Sequence, residues 1–503
     1  MKKLFALIVT GCMLFGALGT AAAIDVKVSG VWDFTYGHYN GMNHYNNKRL
    51  GTSYDKFFQD QRVRTQIDFI ASETLSAKLH FEIGDLYWGR SDGGSNDAPL
   101  DADRTTTFEV KWAYLDWTIP GTQIKTRQGI QPIALPMSTG GNPVFTGDVA
   151  GISFNVPFNQ MIGLTGFWVR PYDVSVGDSG ARSFDEMDVF GLTLPITTSA
   201  LKITPWAMAA TIGSATAYNN RTGTPWYQLR GRNIAADARE NQSFAWWLGV
   251  AGEVRALDPF FINFDAIMGG QNAKKGTYGA WINAPRPADV PPFAGDPHPF
   301  AGEKKDYSSF GYFLDLEVGY KFAWGKPSLL AWYASGDNDR NKRYGSLPGI
   351  TDDTGWTAIN YSMSGRHSID PYQTITSTGF GTWGIALNLK DVSFVDKLTH
   401  DFQLAFFRGT NSGDNIVPGQ YPFSTGMRSG PAKAGGFYLV TSDSVYQASI
   451  MNKYQATKEL AVMLDLAWIH LNASKQRETT GTDFNAKKTS DYYFANVIFQ
   501  YRF

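Results

Sequence analysis

Cysteine is almost absent from this 503-residue chain: Cys12 is the only one. A disulfide-stapled scaffold and a cysteine-built zinc site are therefore excluded. An excess of one charge is also lacking, with 45 Lys+Arg against 46 Asp+Glu and a formal net charge of -1. That balance leaves no electrostatic footprint for nucleic acid. Beyond residue 18 no apolar run is long enough to cross a bilayer as a helix. His-x-x-x-His is missing as well; Gly-x-Ser-x-Gly occurs once, at 89–93 in a long polar segment, and such a match, like scattered Ser, His and Asp, is expected by chance. The expectation is a protein that is not an enzyme and holds no cofactor or metal.

The opening residues read as a leader. Lys2 and Lys3 precede an apolar run from Leu4 to about Leu18, and Ala21, Ala22 and Ala23 follow, the order of a cleavable secretory signal over residues 1–23. Val9-Thr10-Gly11-Cys12 has some lipobox character, but Met13, Leu14 and Phe15 carry the apolar core past the cysteine. Cleavage after Ala23 removes Cys12. It also removes Lys2 and Lys3, taking Lys+Arg from 45 to 43 against 46 acids, a formal charge of -3. An exported chain without disulfides needs another source of stability.

What the chain has is alternation. It is 15% aromatic and 43% apolar with 52 glycines, and its apolar residues recur at every second position, the period of a strand with unlike faces. Val26, Val28, Trp32, Phe34 and Tyr36 stand against Lys27, Ser29, Asp33 and Thr35. Val63, Ile67 and Phe69 stand against Arg62, Arg64, Gln66 and Asp68, and Leu79, Phe81 and Ile83 against Lys78, His80 and Glu82. The same reading sets Phe108, Val110, Trp112 and Tyr114 against Glu109 and Lys111. Later come Tyr312, Leu314, Leu316, Val318, Tyr320 and Phe322 against Asp315, Glu317 and Lys321, then Leu460, Val462, Leu464, Leu466 and Trp468 against Asp465. In "YYFANVIFQYRF", Tyr493, Ala495, Val497, Phe499, Tyr501 and Phe503 share one face, and Tyr492, Asn496, Gln500 and Arg502 the other.

Connections alternate in length. Tight turns at 72–75, 119–122, 157–160, 197–200, 257–260 and 456–459 are interleaved with long polar segments, among them 37–60, 131–150, 271–307 and 336–376. Short turns at one end and long loops at the other describe an up-and-down meander whose ends face different media. About eighteen strands are expected, or sixteen if the short segment 151–156 and the glycine-interrupted segment 377–391 are not staves. Residues 24–503 thus read as one all-β, antiparallel transmembrane barrel. Its strands match a tilted bilayer span of about nine to eleven residues, and closure pairs every backbone group, as hydrocarbon demands. Trp112, Tyr114 and Trp117 beside one turn, and Tyr320, Phe322 and Trp324 beside another, suggest an interfacial aromatic girdle.

A first strand directly after the leader, "AYLDWTIPGTQIKTRQG" at 113–129, a long insert after the fifth strand and a final Phe503 together resemble the trimeric outer-membrane porins of Gram-negative bacteria. The start "DVKVSGVWDFTYG" at 25–37 is most similar to the homotrimeric porin type of sulfate-reducing bacteria. The resemblance spans the whole mature chain. It implies an integral outer-membrane channel passing small hydrophilic solutes, a homotrimer in outer-membrane lipid, and a last strand read through Phe503 by the assembly machinery. It also implies a third loop, near 131–150, folded into the lumen against a basic wall. Onto this sequence that wall maps as Arg62, Arg64, Lys78, Lys111, Lys125 and Arg127. Within the loop Asp148 is the only acid, so opposing charge is expected from Glu82 and Glu109, or from Glu253, Asp265, Asp315 and Glu317 further round. A mild anion preference follows if the wall is free, and none if its bases pair with Asp68, Glu82 and Glu109.

A substrate-specific, sugar-type porin is the alternative, with Trp247, Trp332 and Trp383 as an aromatic track along the lumen. A structural or adhesive envelope protein would place the activity in the loops. "SGDNDRN" at 335–341 has oxygen ligands at calcium-like spacing but lacks the glycine and distal glutamate of an EF-hand loop. His38 and His44 share no partner cluster, and the proline-rich stretch 284–300 carries no partner motif.

Overall fold

In the computed structural model the chain forms one closed antiparallel sheet. It describes residues 24–40, 56–91, 97–101, 108–173, 186–212, 234–236, 243–278, 304–336, 343–345, 347–350, 356, 358–359, 362–366, 381–411, 439, 441–472 and 489–503. The leader with Cys12, His44, the 284–300 insert and most of the 335–341 motif lie outside the described residues.

Among the described residues the sheet has 22 strands, of which Asp97–Ala98, Ile196–Thr197, Ile234–Ala236 and Arg343–Tyr344 are stubs. The other eighteen are the staves: β1 (Asp25–Asn40), β2 (Lys56–Ser72), β3 (Leu75–Trp88), β4 (Phe108–Thr118), β5 (Lys125–Ala134), β6 (Thr146–Pro157), β7 (Gly163–Tyr172), β8 (Met187–Thr193), β9 (Leu201–Ile212), β10 (Ser243–Val254), β11 (Phe260–Tyr278), β12 (Lys304–Tyr320), β13 (Lys326–Ala334), β14 (Thr382–Val395), β15 (Leu398–Gly409), β16 (Ser444–Gln455), β17 (Leu460–Asn472) and β18 (Thr489–Arg502). Each pairs with its neighbours, and β18 returns to β1 from Val31↔Arg502 to Asn40↔Tyr493. Eighteen rather than sixteen staves form because both weakly patterned segments, in β6 and β14, are paired on both sides. One tight turn unread in the sequence, Asp396-Lys397, joins β14 to β15.

The outer surface follows from the solvent it meets. Mid-stave residues pointing outward are aliphatic and exposed, such as Leu192, Leu248, Leu314, Leu316, Leu329, Leu387 and Leu404. Aromatics concentrate near the stave ends: Tyr320, Phe322, Trp324 and Phe394 stack in series at 4.4, 5.2 and 6.0 Å between ring centres, and Trp117 stands exposed beside its turn. An apolar band between aromatic belts matches a bilayer and its two interfaces. At the seam, the Gly30 amide donates to the Phe503 carbonyl at 2.9 Å and the Phe503 amide to the Gly30 carbonyl at 3.1 Å. A Cβ at Gly30 would fall 2.5 Å from the Phe503 ring and from the Arg64 carbonyl. Glycine is needed there because the ring lies flat on the backbone.

Two bulges change faces that strict alternation assigns otherwise. Opposite His80 and Phe81 of β3, β4 carries an extra residue, Lys111. An added residue shifts the period by one, so Trp112 and Tyr114 join the charged side and leave the aromatic girdle. Trp112 packs edge-on against His80 at 4.3 Å, and the Arg127 guanidinium lies 4.0 Å above the Tyr114 ring. A second shift, between the Gln61/Val63 steps of β2 and β3, brings Asp85 to the same side as Asp60.

Candidate pore constriction

The ladders show where the wall opens inward. β4 pairs with β5 only as far as Ala113↔Ile130, and β6 with β7 only from Gly151↔Val169 downward. Between those limits β5 and β6 continue to pair with each other, from Gln131↔Val149 to Ala134↔Thr146. Residues 131–150 therefore leave the wall as a hairpin with no ladder to either flanking stave. Leu135, Val144 and Phe145 are buried, and the tip reaches the inner face of β11 and β12. There the Asp265 carboxylate accepts from the Ser138 amide (2.9 Å) and hydroxyl (2.7 Å) and from the Thr139 amide (3.1 Å). The Thr139 hydroxyl bonds Asp315, the residue paired with Asp265 across the ladder.

A second segment enters from the β13–β14 connection, within the stretch read from sequence as a long outer loop. The Trp247 indole donates to the Pro348 carbonyl at 2.7 Å, the Ile350 amide to the Val144 carbonyl of the hairpin at 2.7 Å, and the Trp356 indole to the Thr139 hydroxyl at 3.1 Å. Further along, the Gln403 amide donates to the Ala358 carbonyl at 2.8 Å, while Asp465 accepts from the Ser362 hydroxyl and the Ser364 amide at 3.1 and 2.9 Å. A Cβ at Gly140 would meet the Ala358 nitrogen at 2.7 Å, so hairpin and second segment touch backbone to backbone.

Together they fill part of the lumen. Leu347, Ile350, Trp356 and Ile359 pack with the hairpin and with inward residues of the wall, including Trp247, Phe313, Trp332 and Phe407. In a wet lumen such burial is favourable, by about 1.5–3 kcal/mol for each large apolar side chain. It explains why β17 turns Ala467 and Ile469 inward and β18 turns Phe494 inward, where a wet reverse face was expected. Trp247 and Trp332 do point inward, but they are buried in this packing and form no open track, and Trp383 points outward at 38% exposure. The lumen is correspondingly narrower than a bare eighteen-stave barrel would leave.

The expected basic wall is present as ion pairs. Arg62 lies 3.5 Å from Asp33 and 3.8 Å from Asp85; Arg64 pairs with Glu82; Lys78 with Asp68 at 3.1 Å; Lys111 with Asp148 at 3.1 Å; Lys125 and Arg127 with Asp116 at 3.0 and 2.7 Å. Asp148 also accepts from the Trp112 indole at 2.7 Å. Glu109 is exposed across the ladder from Glu82. Of the acids expected opposite, Asp265 and Asp315 hold the hairpin tip, Glu253 pairs with Lys202 and Arg255, and Glu317 accepts from Asn263 and Ser328. The pairs are unequal in exposure: Arg64 is 36% exposed over Glu82 at 10%, and Lys125 is 52% exposed over Asp116 at 10%. At these two pairs a passing solute meets the cation first.

Sequence reading missed Arg366. Its buried guanidinium bonds Asp60 at 2.6 Å and Asp85 at 2.8 Å and lies 3.8 Å from Asp33. Burial alone would lower its pKa, but Asp85, Asp60 and Asp33 more than offset this and hold it above the ordinary value. The available signal was a long polar connection that spaces Leu347, Ile350, Trp356 and Ile359 along its length.

No family profile and no curated protein matches the chain. Among solved structures it is similar to the outer membrane protein OprD from Pseudomonas aeruginosa, with TM-score 0.51, 12% identity, and 97% of this chain and 95% of that one covered. It is also similar to OccK8 (OprE) of the same organism, with TM-score 0.51 and 10% identity over 95% and 98% of the two chains. A third is opdK, again from Pseudomonas aeruginosa, with TM-score 0.50 and 10% identity over 95% and 98%. At such identities the likeness is one of fold: a closed eighteen-strand antiparallel barrel.

Proposed function

We propose that this chain is an outer-membrane porin, a passive channel for small hydrophilic solutes and ions. The observation that carries the reading is the barrel's cross-section: aliphatic residues outside, charged residues inside, and a wall hairpin anchored across the lumen by Asp265 and Asp315. Lipid outside and water inside account for both faces at once. The two inserted segments favour a narrowed, size-restricted path over a wide one. A substrate-specific channel is the second reading, supported by the same narrowing but not by an aromatic track.

Since the more exposed partners at the Arg64 and Lys125 pairs are basic, a mild anion preference belongs to the proposal. Near-complete pairing argues that it is weak. Homotrimeric assembly, and kinship with the porin type of sulfate-reducing bacteria, rest on the sequence likeness at 25–37. Liposome swelling with a sugar series tests the class: size-graded uptake supports the general channel, saturable uptake of one sugar the specific one, and no uptake would defeat both.

A further inference from the structure

Residues 347–350, 356, 358–359 and 362–366 of the β13–β14 connection lie along one part of the inner wall. Beneath them is a run of amides and hydroxyls on β14, β15 and β16. The Gln403 amide donates to Asn388 at 2.8 Å, and the Gln447 amide to Gln403 at 3.1 Å and to Ser449 at 3.2 Å. Asn388, Gln403, Gln447, Ser449 and the neighbouring Asp465 are each at most 3% exposed, although all belong to a wall whose unfilled lumen would be wet. The strip bonds within itself and to the segment, through the Ala358 carbonyl and through Ser362 and Ser364, while Gln447 Oε1 and Asp465 Oδ1 have no hydrogen-bond partner among the described residues. A strip of this kind has no cause to exclude water except that something lies on it.

The segment is fastened differently at its two ends. Near Trp356 the contact is apolar, with Phe313 and Trp332 at 5.2 and 4.9 Å between ring centres. At the other end it is ionic. Arg366 enters a pocket built by three staves, Asp33 on β1, Asp60 on β2 and Asp85 on β3, and the Ser362 hydroxyl donates to the Arg366 carbonyl at 2.7 Å. The bulge in β3 that turns Asp85 inward completes the pocket. Among the described residues Arg62 also lies near Asp33 and Asp85, so Arg366 supplies one of two guanidiniums recorded in this cluster of three carboxylates.

We infer that Arg366 is a positioning residue for selectivity: it clasps the β13–β14 segment over the amide strip, so that permeating solutes pass along the charged wall of β2 to β5 and not along the strip. The inference rests on the channel reading and deepens it by assigning the path. The solutes favoured by such a path are small ions and charged hydrophilic molecules; an uncovered amide strip would add a surface suited to neutral polyols.

The test combines a thiol reporter with transport. Ser449→Cys places one reactive group under the segment, in a mature chain that otherwise has none once the expected leader is removed. In the parent background its reaction with a membrane-impermeant thiol reagent should be slow. Adding Arg366→Ala removes the guanidinium that ties the segment to these buried carboxylates, a loss that raises the detached population about 100-fold or more. The labelling rate should rise accordingly, with larger single-channel conductance and weaker ion selectivity; Arg366→Lys should fall between. If Arg366→Ala does not assemble, Asp85→Asn removes the most exposed acceptor and should show the same changes in smaller degree. Equal labelling rates and equal conductance with and without the clasp would overturn the inference while leaving the channel intact. Absence of conductance in the parent protein would instead defeat the channel reading.

Discussion

Removing the Asp265 carboxylate should free the hairpin from the lumen wall without opening the barrel. In Asp265→Ala the amides of Ser138 and Thr139 lose their acceptor, while the Ser138 hydroxyl keeps the Phe264 carbonyl at 3.0 Å and the Thr139 hydroxyl keeps Asp315. Hydrogen bonds to a charged group contribute about 1.5–3 kcal/mol each, so two lost bonds set a range of about 3–6 kcal/mol. Water reaching the freed tip recovers some of this, which favours the lower figure. Repulsion between Asp265 and Asp315 is present whether the tip is docked or not and cancels to first order. A loss of about 3 kcal/mol corresponds to roughly a hundredfold shift toward the undocked hairpin. Single-channel recording should then show larger, noisier openings, and liposome swelling a higher size limit. Asp265→Asn, which keeps one acceptor oxygen, should lie between. Unchanged conductance and size limit, in a variant that still migrates as a folded heat-modifiable barrel, would refute the constriction argument.

Four further outcomes are expected. The Arg62→Ala/Arg64→Ala pair should move the reversal potential toward cations, with Arg64 responsible for most of it because Arg62 is only 14% exposed; no shift would mean the wall carries no selectivity. Gly30→Val should impair closure, since its side chain would occupy the space of the Phe503 ring, and refolding yield in detergent measures this. Deleting Phe503 should reduce assembly in cells more than it reduces conductance of refolded protein; equal losses would assign the residue to packing alone. For Arg366, whose pKa is raised, the ionic contribution is complete below the ordinary arginine value and lost only as pH climbs through the higher folded value. Conductance should therefore show no clasp release on titration from neutrality to about pH 10, and a step in that interval would count against the assignment.

How far the molecule was legible in its sequence depended on whether local period or long-range packing decided a residue's place. Outward residues such as Leu314, Leu316 and Val318 answer only to lipid, so alternation placed them correctly. The eighteen staves and the end with short turns followed from the same period. Trp112 and Tyr114 were misplaced because one extra residue at Lys111 shifts the face, and nothing local marks a bulge in "FEVKWAYLDW". Ala467 and Ile469 share the face of Asp465, and their burial comes from packing with a segment remote in sequence, which local period does not show. Arg366 and the three carboxylates around it lie on four separate elements, and no spacing rule joins residues 33, 60, 85 and 366. The paired state of the basic wall was foreseen as one of two outcomes, since period two places charges on a face without saying which neighbours they meet.

The central claim is that this barrel conducts. Purified protein, reconstituted in a planar lipid bilayer and recorded at symmetrical salt, should insert in discrete steps of uniform, ohmic conductance, with a small reversal potential of anionic sign under a salt gradient. A folded barrel that inserts yet carries no current would contradict the account.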